Sequence, residues 1–154
     1  MEFSFNYNLF KHYNALSDKD LILVKKAFEA MDNAYAPYSN FMVGASVLLQ
    51  NGTVVTGNNQ ENLAYPSGLC AERVALYYVG ANYPKENIDT ICIVAKGQLV
   101  SEELLLSPCG SCRQVMIESS MRQNTPIRVI MVNQDNRTIV VDNVEDLLPF
   151  AFKK

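Results

Sequence analysis

Cys70-Ala71-Glu72-Arg73, answered by Pro108-Cys109-Gly110-Ser111-Cys112, is the pair of stretches on which the reading of this chain turns. Together they offer three thiols and one carboxylate. Three soft ligands with a fourth position open suit a catalytic zinc, because structural zinc sites are usually closed by four protein ligands. Zinc lowers the pKa of a bound water from ~15.7 to about 7, so hydroxide is available near neutrality. Glu72 lies two residues after Cys70, within reach to shuttle the protons of a hydroxide attack. Both motifs fall where helices are expected to begin. The partial positive charge there favours thiolates, as the metal does. Cys109 and Cys112 are three apart and share one face of a first helical turn. Cys70 then supplies the third ligand from a facing helix. Zinc with three thiolates is formally anionic, and Arg73 and Arg113 follow the motifs closely enough to donate to the sulfurs and offset that charge.

Working outward, Val43 to Gln50 reads as a strand, Asn51-Gly52 as a two-residue type I′ hairpin turn, and Thr53 to Gly57 as the returning strand. Gly44 marks a close backbone approach. Asn58 to Gly68 is a polar loop, and a helix spans Leu69 to Gly80 with Val74, Ala75, Tyr78 and Val79 apolar. Ile88 to Ala95 is a short Ile- and Val-rich run of the kind found in a strand covered on both faces. Ser107-Pro108 opens another helix, with Val115, Met116 and Met121 as candidates for its buried side. Ile127 to Val132 and Thr138 to Val141 are further strands, and Asp142 or Asn143 caps a last helical turn closed by Pro149.

Upstream, Ser17 or Asp18 caps a helix that runs to about Ala34, with Leu21, Val24, Phe28 and Met31 along one face. Residues 1–16 have no clear period and read as an irregular extension, leaving 17–154 as a single domain. The order implies a layered α/β domain with a five-stranded mixed sheet, parallel where helices separate the strands.

The chain has 154 residues, of which 49% are hydrophobic, enough for one compact core and short for two domains. Net charge is −3 with Lys and Arg scattered, which argues against duplex DNA or tRNA as a partner. No apolar run reaches the ~20 residues needed to span a bilayer. The N-terminus has neither a basic n-region nor an apolar h-region, so a cytoplasmic location is expected. Four cysteines in that compartment point to metal or burial rather than disulfides. A lone Cys-x-x-Cys also fits redox motifs. Cys92, in Ile91-Cys92-Ile93, could close a structural site but reads as a small buried hydrophobe. His12, the single histidine, lies in the irregular segment.

Ligand-x-Glu followed by Pro-Cys-x-x-Cys is the known signature of zinc nucleobase deaminases. The chain resembles the small homotetrameric cytidine deaminases over nearly its whole length. The matching stretches are Tyr38-Ser39-Asn40-Phe41, Val43-Gly44-Ala45, Asn59-Gln60-Glu61-Asn62, Tyr65-Pro66, Gly68 to Arg73, Pro108 to Gln114 and Leu147-Leu148-Pro149. The resemblance implies a three-layer α/β/α fold with a five-stranded mixed sheet. It implies zinc on Cys70, Cys109 and Cys112, Glu72 as proton shuttle, and hydrolysis of free cytidine and deoxycytidine to uridine and deoxyuridine plus ammonia. It places Asn59 and Glu61 on the ribose 3′-hydroxyl, Phe41 on the pyrimidine and the backbone N–H of Ala71 on the base carbonyl. Phe152 would close a neighbouring subunit's pocket, with Tyr65 near such a shared site. Leu63, Met42 and Ser67 depart from the family pattern, and the first dozen residues lie outside it. Rival readings are a deaminase of another small cytosine compound such as blasticidin S, a nucleic-acid-editing deaminase, and a zinc-stabilised binding module without catalysis.

Overall fold

A computed structural model describes residue 2 and residues 4–153. Its elements, in order, are β1 (Asn8–Phe10), a 3₁₀ turn (Tyr13–Ala15), α1 (Asp18–Met31), β2 (Phe41–Leu49), β3 (Val54–Asn58), a 3₁₀ turn (Tyr65–Ser67) and α2 (Ala71–Asn82). Then follow β4 (Ile88–Gly97), α3 (Gly110–Gln123), β5 (Arg128–Val132), β6 (Thr138–Val141) and a 3₁₀ turn (Val144–Leu147).

Among the described residues six strands form one mixed sheet in the order β1-β6-β5-β4-β2-β3, with β4 and β5 parallel and the other pairs antiparallel. The expected five strands are therefore one short. The sixth is β1, inside the segment read as irregular, where Asn8, Leu9 and Phe10 pair with Val140, Ile139 and Thr138. It covers the edge of β6, whose unpaired backbone would otherwise stand open.

Alternate residues of the central strands enter two separate cores. Ala45, Val47, Ile91, Ile93 and Val129 meet α2 and α3 on one face, while Leu48, Cys92, Val94 and Ile130 meet α1 on the other. A sheet covered on both faces has no solvent side, which explains the unbroken apolar run of β4. The helices come close enough to exclude even a methyl group. A Cβ on Gly44 would stand 2.0 Å from the Ala27 carbonyl of α1, and one on Gly57 would stand 2.7 Å from the Ala71 oxygen of α2.

Ser17 caps α1 by accepting from the Asp20 N–H at 3.3 Å. The helix stops at Met31, and its buried face is Leu23, Val24, Ala27, Ala30 and Met31, with Leu21 and Phe28 at the margin. Asp20, itself buried, is gripped by both terminal nitrogens of Arg128 on β5 at 2.6 and 3.0 Å. The hairpin differs from a type I′ turn. Among the non-glycine residues with positive φ Asn51 is absent, and only Gly52 has a positive φ in the loop (+88°). The Gly52 N–H donates to the Leu49 carbonyl and the Leu49 N–H to that of Thr53, the pattern of a three-residue loop ending in a glycine bulge.

Candidate metal and nucleoside site

β3 and β4 both run antiparallel to β2, so they end at the same edge of the sheet. Each leads through a loop into a helix, and the two helices begin side by side over that edge. This is where open α/β sheets form ligand crevices. Cys70 is the N-cap of α2 and Cys109 the N-cap of α3, both with extended backbone (φ −70°, ψ 154° and φ −66°, ψ 164°). Cys112 lies in the first turn of α3, above Cys109. The expected helix starts at Leu69 and Ser107 are thus displaced by two or three residues, which turns the thiols into caps.

The three sulfurs lie within 4.8 Å of one another. Tetrahedral coordination at ~2.3 Å per Zn–S bond needs sulfurs about 3.8 Å apart, so the residues present fit the metal. Cys112 is buried, Cys70 half-buried and Cys109 exposed. The hydrogen bond from the Cys112 thiol, then Arg73, holds Cys70 down at about 5, whereas that same shared proton and burial push Cys112 up. A metal takes the place of such protons. Arg73, three residues into the helix, donates from Nη2 to the Cys70 sulfur at 3.7 Å. Its buried Nε has no partner among the described residues. Glu72 is buried beside the cluster, and desolvation raises its carboxyl above the ordinary value, with the negative charge of Cys70 adding to the effect.

Arg113, expected at the sulfurs, binds elsewhere. Its guanidinium donates to the carbonyls of Pro108 and Leu147 and to the Ser107 hydroxyl, at 2.8, 2.7 and 2.6 Å. It ties the loop that carries Cys109 to the C-terminal 3₁₀ turn. Cys92 belongs to the core under α1, across the sheet from the thiol cluster, and burial raises its thiol pKa. His12 accepts from the Asn14 N–H and caps the first 3₁₀ turn.

Beside the thiols opens a cavity of 420 Å³ whose lining includes Ser39, Asn59, Glu61, Tyr65, Cys70 and Arg73. Tyr38 also lines it and meets Tyr65 edge-on, ring centroids 6.2 Å apart. Asn59 is buried, with Oδ1 accepting from the Val43 N–H and Nδ2 donating to the Phe41 carbonyl, each at 2.8 Å. Glu61 accepts from the N–H groups of Tyr38 and Ser39 and from the Ser39 hydroxyl. The Ser39 bond comes first among the causes that hold its carboxyl below the usual range. Phe41 is half-buried and lines a neighbouring hollow with Val100 and the segment 103–107 that leads to Cys109. Ala71 is fully buried. Phe152 is anchored through its backbone, which donates to and accepts from the Gln114 amide at 3.1 and 2.8 Å, while its ring stands exposed.

Sequence reasoning missed Ser39 and Tyr38, although both stand within the motif that carries Phe41. It also gave Gln114 no role.

The description "Cytidine and deoxycytidylate deaminase zinc-binding region" matches residues 17–128. A protein named cytidine deaminase from Halalkalibacterium halodurans is 37% identical over 85% of this chain and 92% of its own length. One from Mycobacterium tuberculosis is 37% identical over 82% of this chain and 84% of its own. The crystal structure of cytidine deaminase from Burkholderia pseudomallei superposes with a TM-score of 0.74 at 35% identity, covering 89% of this chain and all of that one. A match to the family over residues 17–128, with relatives at 35–37% identity over most of the chain, settles the family: the chain belongs to the zinc-binding cytidine and deoxycytidylate deaminases.

Proposed function

We propose that this protein hydrolyses free cytidine and deoxycytidine to uridine and deoxyuridine with release of ammonia. The observation that carries the reading is the cluster of three sulfurs at two converging helix N-termini with Glu72 buried against it. Cys70, Cys109 and Cys112 would hold zinc, which supplies a Lewis acid and a supply of hydroxide at neutral pH. Glu72 takes the proton of the attacking water and gives it to N3 of the ring as oxygen adds to C4. It then carries a second proton to the departing amino group, so one water is consumed and one ammonia leaves. Arg73 offsets the negative charge of the thiolate set. Asn59 and Glu61 bind the ribose 3′-hydroxyl, Phe41 packs on the pyrimidine, and the Ala71 N–H receives the base carbonyl.

Residues 17–154 act as one catalytic domain. The working form is a cytoplasmic homotetramer with shared sites, in which Phe152 closes a neighbour's pocket and Tyr65 lies near such a shared site. Exposed aromatic side chains at Tyr65, Tyr77, Tyr78, Phe150 and Phe152 support that assembly. No helix among the described residues is long and apolar enough to cross a membrane.

The test is to follow ultraviolet absorbance of the zinc-loaded protein with cytidine, deoxycytidine, CMP and blasticidin S offered separately. Turnover of the two nucleosides alone is expected. Turnover of blasticidin S alone would overturn the roles given to Asn59 and Glu61.

A further inference from the structure

The loop between α1 and β2 brings together the residues assigned to sugar and to base, and Ser39 is bonded to both. Its hydroxyl donates to Glu61 Oε1 and accepts from the Phe41 N–H at 3.1 Å. Glu61 Oε2 is occupied twice, by the N–H groups of Tyr38 at 2.9 Å and Ser39 at 3.3 Å. An ionised carboxylate offers about four acceptor positions. Three are filled from within the loop, which leaves one for a single ligand hydroxyl. The Phe41 peptide is held from the other side as well, because its carbonyl accepts from Asn59 Nδ2. Asn40, with φ at +52°, makes the reversal that lets Ser39 touch both ends.

Resting on the ribose and base roles proposed above, we infer that Ser39 is a positioning residue that joins Glu61 to Phe41, so that sugar and ring are read by one rigid unit. Its hydroxyl fixes which lone pair of Glu61 faces the ligand and fixes the Phe41 backbone at the same time. Without it the carboxylate keeps its charge and two backbone donors but gains a free rotor. The loss then falls on recognition of the 3′-hydroxyl, with zinc and Glu72 untouched.

The experiment measures kcat and KM for cytidine and 3′-deoxycytidine with zinc-loaded wild type, Ser39→Ala, Ser39→Cys and Ser39→Thr. Wild type should prefer cytidine strongly, since a site built to bond a hydroxyl rejects the analogue that lacks it. In Ser39→Ala the kcat/KM for cytidine should fall about 10- to 100-fold, the size of a hydrogen bond to a charged group, chiefly through KM. For 3′-deoxycytidine it should fall less than about threefold, because Asn59 still holds the Phe41 carbonyl, so the preference collapses. Ser39→Cys, a weaker donor of similar size, should behave alike and serves if the alanine variant folds poorly. Ser39→Thr should restore most of the preference. Equal losses on both substrates would mean that Ser39 acts only through the loop's fold, and an unchanged preference would mean that it does not position Glu61. Either overturns the inference while leaving the ribose role of Glu61 standing. A wild type that does not distinguish the two substrates overturns both.

Discussion

Replacing Gly57 with alanine should damage the protein through one contact. The added methyl would lie 2.7 Å from both the Ala71 carbonyl oxygen and the Ala75 nitrogen of α2. Ordinary contact begins near 3.5 Å, so α2 must retreat by about 0.8 Å or the strand must bend away. Overpacking of this kind costs about 1–3 kcal/mol. At a urea m-value of roughly 2 kcal/mol/M, a loss of about 2 kcal/mol lowers the unfolding midpoint by about 1 M. The displaced helix carries Cys70 and Glu72, while α3 carries the other two sulfurs. Turnover should therefore also fall, by about 10- to 100-fold, since a ~1 Å misplacement can cost 10²-fold. Gly80→Ala in the same helix is the control. Its methyl would meet only the end of the Arg122 side chain at 3.4 Å, so helix propensity should raise stability by about 0.5 kcal/mol. Both are read from urea midpoints at one protein concentration, zinc-loaded, with turnover measured in parallel. A Gly57→Ala protein within 0.5 kcal/mol of wild type and fully active would refute the reasoning.

Two further substitutions test the packing around the site. Arg128→Ala leaves buried Asp20 without its partner and should cost about 2–3 kcal/mol, below the full range for removing half of a buried pair because the arginine is part-exposed; thermal or urea unfolding reads it, and a loss under 0.5 kcal/mol would refute it. Cys92→Ser should keep one zinc per chain while costing about 1–3 kcal/mol for burying a hydroxyl in the α1 core; loss of the metal by elemental analysis would mean that Cys92 is a ligand.

The parts of the site that were legible in the sequence are those fixed by local geometry. Cys109 and Cys112 share a helical face because of their spacing alone, and Arg73 meets Cys70 because a residue three past an N-cap lies over it. Arg113 stands four past the N-cap Cys109, a spacing that equally allows it to reach a sulfur, yet its guanidinium is taken by other acceptors. Its partners at Pro108 and Leu147 come from the tertiary fold, which spacing does not report. β1 was illegible for a related reason. Three residues, Asn8-Leu9-Phe10, hold too little pattern to declare a strand, and the edge of β6 supplies the order. Asn51-Gly52 signalled a turn correctly, but one extra loop residue changed its type, and only the pairing register decides that. Gly44 announced a close backbone approach by standing inside a strand, whereas Gly57, at the expected strand end, gave no such signal.

The most direct test of the account is Glu72→Gln, because the substitution keeps size and one acceptor oxygen while removing the carboxylate that can carry a proton. Purified protein should bind one zinc per chain, unfold at the wild-type midpoint or above it, and turn over cytidine at least ~10²-fold more slowly than wild type. Wild-type turnover from a zinc-loaded Glu72→Gln protein would contradict the assignment of the proton shuttle, and with it the chemistry proposed for the site.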